Sequence, residues 1–423
     1  MRFVLKRAGA TGAGAPTWVV LAVALVAGLS GCSGDRLDIG DVGGHVVGKV
    51  GDVVAGKARS PREAILVTPE DGAKGVKADG RIEVRVPGGR LERVRVMKAE
   101  DAQPEEVPGT IADDGLSWSP SQEAAGRLEL AAKYTVDAVA LDGQGHRQAR
   151  HTSFTTLVPE HRFIGYFKPE NRSTVGVGMI VSFSFNQAIQ NRAAVERAIR
   201  ITSRPPVAVV GHWFGKERLD FRPKEYWKPG TKVTVDMKLR DVPGAPGVYG
   251  IQEKKVGFTI GRDQESLVDA EAHTMEVRRG GDLISTIPIS AGSPKNTTYN
   301  GKMVAMEMFD VTRMNSRTVG FGGEYDIPDV PHAIRLTASG TFLHGNYWAT
   351  SGTFGSSNTS HGCVGLRDVK GGSPDTPAGW FFDRTLVGDV VEVVNSRDRT
   401  VAADNGLGGW NLDWAKWRAG SAL

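Results

Sequence analysis

Apolar and charged positions alternate in short runs from about residue 61 onward. Residues 81–86 (RIEVRV) and 91–96 (LERVRV) place every second side chain on one face, the pattern of half-buried antiparallel strands. Pro87-Gly88-Gly89 between them is turn chemistry. Residues 134–140 continue the alternation and 151–156 close it. Short strands broken by turns at roughly eight-to-twelve-residue intervals predict a small two-sheet β-sandwich over 61–157.

A second such unit is predicted over 158–261. Strands are expected at 175–185, 232–239 and 255–260. One short helix is expected at 191–201, where Asn191 caps a helical spacing of Ala194, Val195, Ala198 and Ile199. The two units end alike, in Ser153-Phe154-Thr155-Thr156 and Gly257-Phe258-Thr259-Ile260, as a duplicated module would. Neither shows a nucleophile beside a base, and His212 and Trp213 are assigned to core packing.

A third unit is predicted over 262–395. It opens with a hairpin (273–278, Gly280-Gly281, 283–289) and a further strand at 302–308. Residues 314–331 then read as a long loop with three glycines and two prolines, the kind that serves as a lid. A short helix at 376–386 and a closing strand at 390–394 follow. In the final segment, 396–423, Trp410, Trp414 and Trp417 are spaced four and three apart, as one helical stripe. That stripe is expected to pack on the third unit.

Composition agrees with a mainly β chain. The sequence has 423 residues, too many for one core, with 54 glycines and only 7% aromatic residues. Residues 1–31 carry a basic start (Arg2, Lys6, Arg7) and an apolar run at 18–29 too short to span a bilayer, so they are expected to be a targeting signal. They end in Leu29-Ser30-Gly31-Cys32, which resembles a bacterial lipobox and implies cleavage before Cys32 and lipid on its thiol. Residues 32–60, rich in Gly, Asp and Lys, are expected to be a flexible tether. Without residues 1–31 the formal charge falls from +4 to +1, which argues against a nucleic-acid partner.

The chemistry concentrates in TFLHGNYWATSGTFGSSNTSHGCVGLR, residues 341–367. Cys363 is the only cysteine beyond Cys32, and His344 and His361 both lie within twenty positions of it. Three readings compete: an inert buried cysteine, a metal site of His344, His361 and Cys363, or a cysteine nucleophile served by an imidazole. The metal set lacks a paired Cys-x-x-Cys or His-x-x-x-His element. The nucleophile accounts best for a lone thiol, with Gly362 letting the backbone approach a substrate and neighbouring N–H groups available to an oxyanion.

His344, a spacer, then Ser360-His361-Gly362-Cys363 resembles the signature of bacterial L,D-transpeptidases, the YkuD-type catalytic domain. Met314-Asn315-Ser316-Arg317-Thr318, Tyr325, Gly388 to Asn395 and Gly406 to Asn411 resemble the multidomain actinobacterial members as well. The resemblance implies two Ig-like sandwich domains that act as spacers, a YkuD-type β-rich catalytic domain and a Trp-containing extension. It implies Cys363 as nucleophile, His344 as base and the Gly345 carbonyl as its orienter. Ser360, Gly362 and the Cys363 N–H would serve orientation and oxyanion binding, and His361 the acceptor side or the loop. Tyr325, Met314 and Trp348 would cover the donor substrate.

That substrate would be the peptidoglycan stem peptide, a tetrapeptide donor joined to a second stem in a 3→3 cross-link. No cofactor or metal is implied. Carbapenem-type β-lactams would be covalent inhibitors, and the protein would be exported and lipid-anchored on the outer face of the cytoplasmic membrane. An L,D-carboxypeptidase or D-amino-acid exchanger is the rival enzyme, and a non-catalytic wall-binding protein the rival of another class. One position departs from the family: Gly365 stands where Asn or Arg is usual, so a side-chain contact holding the catalytic loop is missing or comes from elsewhere.

Overall fold

In the computed structural model, residues 65–99, 104–121, 128–319 and 322–423 are described. Residues 1–31, expected to be a targeting signal, Cys32 and the expected tether over 32–60 lie outside them. The alternation near the start becomes two four-stranded sheets. One runs Leu66–Thr68, Glu83–Arg85, Ser117–Pro120, Gly109–Ile111, and the other Glu105–Glu106, Arg90–Ala99, Lys133–Leu141, Arg147–Thr155. Their inward residues, among them Val84, Val96, Trp118, Val136 and Phe154, close one core, with Tyr134 stacked on Phe154 at 5.2 Å.

The second unit has two four-stranded sheets around Phe183, Phe185, Trp213 and Phe221, and a small three-stranded one of Pro243–Ala245, Val248–Gly250 and His161–Phe163. Its helix is shorter than the spacing suggests. It covers Arg192–Arg197, capped by Asn191, and Ile199–Arg204 pairs as a strand with Lys232–Lys238. The β-branched Ile199 and Ile201 complete a six-residue ladder there, and that pairing overrides helical periodicity. Trp213 is core, its indole N–H donating to the buried Glu196 at 2.9 Å, and His212 stacks on Trp417.

The third unit is one nine-stranded sheet. Its order is Gly301–Val304, Val390–Val394, Gln264–Asp269, Thr274–Arg279, Asp282–Ser290, Val364–Arg367, Phe342–Asn346, Asp326–Arg335, Glu307–Asn315. Two neighbouring pairs are parallel, Gln264–Asp269 with Val390–Val394 and Phe342–Asn346 with Val364–Arg367. The region expected to be a long loop is largely a hairpin. Met314 pairs with Ile327 and Asn315 with Asp326, with one register shift between Thr312 and Met314. Pro328 and Pro331 fit because the far side of their strand is paired only at Ile334 and Arg335, so most of it behaves as an edge. The helix Pro377–Phe382, capped by Thr376, sets Ala378 and Phe381 into the core of this unit.

The last segment differs from expectation. Instead of one helix there is a 3-10 turn, Gly408–Asn411, then a helix, Trp414–Ala419, capped by Asp413. Asn411 does bind the third unit, donating to the Lys302 carbonyl and accepting from its N–H, both at 2.8 Å. The tryptophans face the second sandwich. Trp417 is fully buried and donates to the Val210 carbonyl at 3.0 Å, His212 donates to the Trp417 carbonyl at 2.8 Å, and Trp410 donates to the Gly178 carbonyl at 2.8 Å. The reason is Arg222. Its guanidinium lies 4.5, 5.3 and 4.4 Å from the ring centres of Trp410, Trp414 and Trp417, and burial lowers its pKa to about 10.

Candidate active site

A parallel strand pair cannot be joined by a tight turn, so the chain must cross over between Phe342–Asn346 and Val364–Arg367. That crossover returns Cys363 to a position just ahead of the second strand, level with Phe342, whose N–H donates to the thiol sulfur. His344 stands two residues further along the first strand. Both side chains are buried and line one cavity of about 180 Å³, together with Met314, Tyr325, Ile327, Asn346, Trp348, Thr359, Ser360 and His361.

Burial sets the resting protonation of this pair. It pushes the Cys363 thiol up to about 11, while the Phe342 N–H pulls weakly the other way. It also lowers the pKa of His344, which the Gly345 carbonyl and the Asp368 carboxylate oppose. The resting pair is therefore a neutral thiol and a neutral imidazole.

The His344 ring is oriented from behind. Its Nδ1–H donates to the Gly345 carbonyl at 3.1 Å, which leaves Nε2 as the basic atom. Only glycine fits at 345, because a Cβ there would come within 2.1 Å of Asp368 Oδ2. Asp368 is fixed in turn by the His332 Nδ1–H at 2.7 Å, the Thr376 hydroxyl at 2.9 Å and the Val369 N–H at 2.8 Å. Trp348 stacks on the His344 ring with centroids 5.5 Å apart.

The Ser360-His361-Gly362-Cys363 turn is held by its own groups. The Ser360 hydroxyl donates to the Cys363 carbonyl at 2.6 Å and accepts from the Gly362 N–H at 3.1 Å. The Gly362 N–H is thus engaged, and this residue serves conformation, at φ +111, rather than oxyanion binding. His361 does not pair with the cysteine. Its Nε2 lies 2.9 Å from Glu324 Oε2, and its ring lies 5.0 Å from that of Tyr325. Among the described residues no three His, Cys, Asp or Glu side chains gather as a metal set.

Met314 reaches the cavity from the strand Glu307–Asn315 and Tyr325 from the position just ahead of Asp326–Arg335. Ser316 and Tyr325 close that turn, the Ser316 N–H donating to the Tyr325 carbonyl at 3.0 Å. Burial and the nearby Cys363 push the Tyr325 hydroxyl up to about 12, so it stays a hydrogen-bond donor. Sequence reasoning missed Asn346, Ile327, Thr359, Glu324 and Asp368. The two glycines facing polar partners, Gly345 and Gly365, were the available signal.

A family model described as L,D-transpeptidase catalytic domain matches residues 263–393, and one described as bacterial Ig domain matches 73–243. The chain is 33% identical over 395 residues to L,D-transpeptidase 2 of Mycobacterium tuberculosis, covering 88% of this chain and 92% of that protein. It is 29% identical over 377 residues to L,D-transpeptidase 5 of the same organism, covering 88% and 79% respectively. A solved L,D-transpeptidase in complex with imipenem is 32% identical, covers 56% of this chain and all of that one, and has a TM-score of 0.46.

Proposed function

Since the chain belongs to the L,D-transpeptidase family, we propose that it forms 3→3 cross-links between peptidoglycan stem peptides through a thioester on Cys363. The observation that carries this reading is the placement of His344 on one strand and Cys363 at the start of its parallel neighbour, both buried in one cavity.

The steps follow from the resting protonation. As the Cys363 sulfur attacks the carbonyl of the diamino acid in a tetrapeptide donor, the thiol proton passes to His344 Nε2. The imidazolium so formed is held by the Gly345 carbonyl and lies in the field of Asp368. The negative charge on the former carbonyl oxygen is met by the Cys363 N–H, since Ser360 already takes that of Gly362. Collapse breaks the peptide bond and hands the His344 proton to the leaving amine of D-alanine. A side-chain amine of a second stem then attacks the thioester, its proton passes to His344, and the thiol leaves reprotonated.

The barrier includes deprotonating a thiol near pKa 11, so His344 must act during attack rather than before it. Mass spectrometry of products from the purified protein and a disaccharide-tetrapeptide tests the reading. A cross-linked dimer carrying the new amide supports it. Tripeptide alone would make the protein a carboxypeptidase, a D-amino-acid-substituted product an exchanger, and unaltered substrate a non-catalytic protein. Anchoring by lipid on Cys32 and action outside the cytoplasmic membrane complete the proposal.

A further inference from the structure

We infer that Asn346 is a substrate-binding residue, its side-chain amide donating from above Gly365 to a main-chain oxygen of the donor peptide. The argument begins with strand geometry. Alternate residues of a strand share a face, so His344 and Asn346 point the same way, as does Gly365, the register partner of His344 on the neighbouring parallel strand, while Cys363 immediately precedes that strand. These four positions form one patch, of which His344, Cys363 and Asn346 line the cavity.

Within the patch, Gly365 leaves a gap, and Asn346 occupies it. A Cβ built on Gly365 would meet Asn346 Nδ2 at 3.2 Å and its Cβ at 3.3 Å. The amide has a defined orientation, because Oδ1 accepts from the Ala349 N–H at 3.0 Å. Nδ2 is thereby turned the other way. It donates to no group among the described residues, although Asn346 is only 5% exposed, and it is not among the sealed, unpartnered buried atoms. An amide N–H pair that is anchored, mostly desolvated and carried by a residue of the cavity wall is poised for an acceptor oxygen. A peptide donor lying over Cys363 supplies such oxygens.

The inference rests on the transpeptidase reading, and the experiment separates the two. In the full chain, acylation by a disaccharide-tetrapeptide is measured beside alkylation of Cys363 by iodoacetamide, which needs the thiol but no peptide contact. Asn346→Ala is expected to raise the donor KM about tenfold, the worth of one neutral hydrogen bond, with alkylation unchanged. Moving the amide across the strands, in N346A/G365N, is expected to bring KM back to within about threefold of wild type.

An unchanged KM in Asn346→Ala overturns the inference, as does a parallel loss of alkylation, which would mark a packing role. Should the alanine variant melt early by circular dichroism, Asn346→Asp keeps an oxygen on the Ala349 N–H and lacks the donor. Its KM is expected to rise at least as far, and an unchanged value there also overturns the inference. Wild-type protein that alkylates normally but is not acylated by the tetrapeptide would sink the transpeptidase reading, and this inference with it.

Discussion

His361 reaches out of the Ser-His-Gly-Cys turn to Glu324, with 2.9 Å between Nε2 and Oε2, and so ties the nucleophile's own loop to the hairpin turn that carries Tyr325. The contact is partly exposed, and such pairs are individually weak. Its consequence is for substrate capture. Glu324→Gln and His361→Ala are each expected to raise the donor KM severalfold while leaving iodoacetamide alkylation of Cys363 nearly unchanged. If His361→Ala instead slows acylation more than His344→Ala does, the two histidines exchange roles.

The nucleophile and its base have a separate signature. A carbapenem presents a strained carbonyl that the thiol should open, so intact mass should show one adduct, located on Cys363. Cys363→Ser should abolish it, because an alcohol is a far weaker nucleophile. His344→Ala should slow acylation by about 10²–10⁴-fold, the usual cost of losing a positioned proton acceptor. An adduct that persists in Cys363→Ser would refute the assignment.

The raised thiol pKa gives the pH dependence its sign. A thiol near pKa 11 is protonated throughout the neutral range, and each pH unit below that value costs about tenfold in thiolate. Alkylation by iodoacetamide should therefore climb steadily from pH 7 to pH 9 without levelling. A plateau already reached at pH 7 would mean that the sulfur rests as a thiolate beside an imidazolium.

Removing the Trp417 ring should loosen the joint between the end of the chain and the second sandwich. Trp417 is fully buried, and truncating such a ring typically costs about 3–5 kcal/mol. Trp417→Ala should lower the melting temperature by several degrees. Deleting residues 413–423 should do the same or worse, and should expose Glu196, which otherwise binds the Ser421 hydroxyl at 2.5 Å and the Ala422 N–H at 2.8 Å. A melting curve indistinguishable from wild type in both variants would contradict this.

Anchoring is tested on Cys32. Cys32→Ser should shift the protein from the membrane fraction to the soluble one, or leave it with an uncleaved leader, because acyl chains would supply the attachment. A wild-type mature N-terminus that is unmodified, or that lies elsewhere, would remove the lipoprotein proposal.

Much of the fold was legible because sandwich strands announce themselves by alternation. Tyr134 to Leu141 and Val390 to Val394 run close to where the pattern places them. The hairpin over 307–335 was harder to see, since Pro328 and Pro331 signal a loop and only the sheet's pairing reveals that they sit on an open edge. Cys363 and His344, the proposed nucleophile and base, stood out through residue type and spacing. Asp368 and Asn346 did not, because nothing local marks them. Asp368 matters through a gap at Gly345 and Asn346 through a gap at Gly365, and both gaps exist only once two strands lie side by side in register.

The seat of Trp417 on Val210 also dictates an order of events during synthesis. The two residues are 207 positions apart, and the whole catalytic unit is translated between them. Units of a growing chain tend to fold as they emerge, yet the second sandwich must wait, with the Arg222 side without its tryptophan cover, until Trp410, Trp414 and Trp417 have been made. A polypeptide that stalls or is clipped late would then carry an intact catalytic sequence on an unfinished neighbour. Synthesis of residues 414–419 and completion of that core are therefore one event, so this short helix acts as a seal applied from the far side of the catalytic sequence.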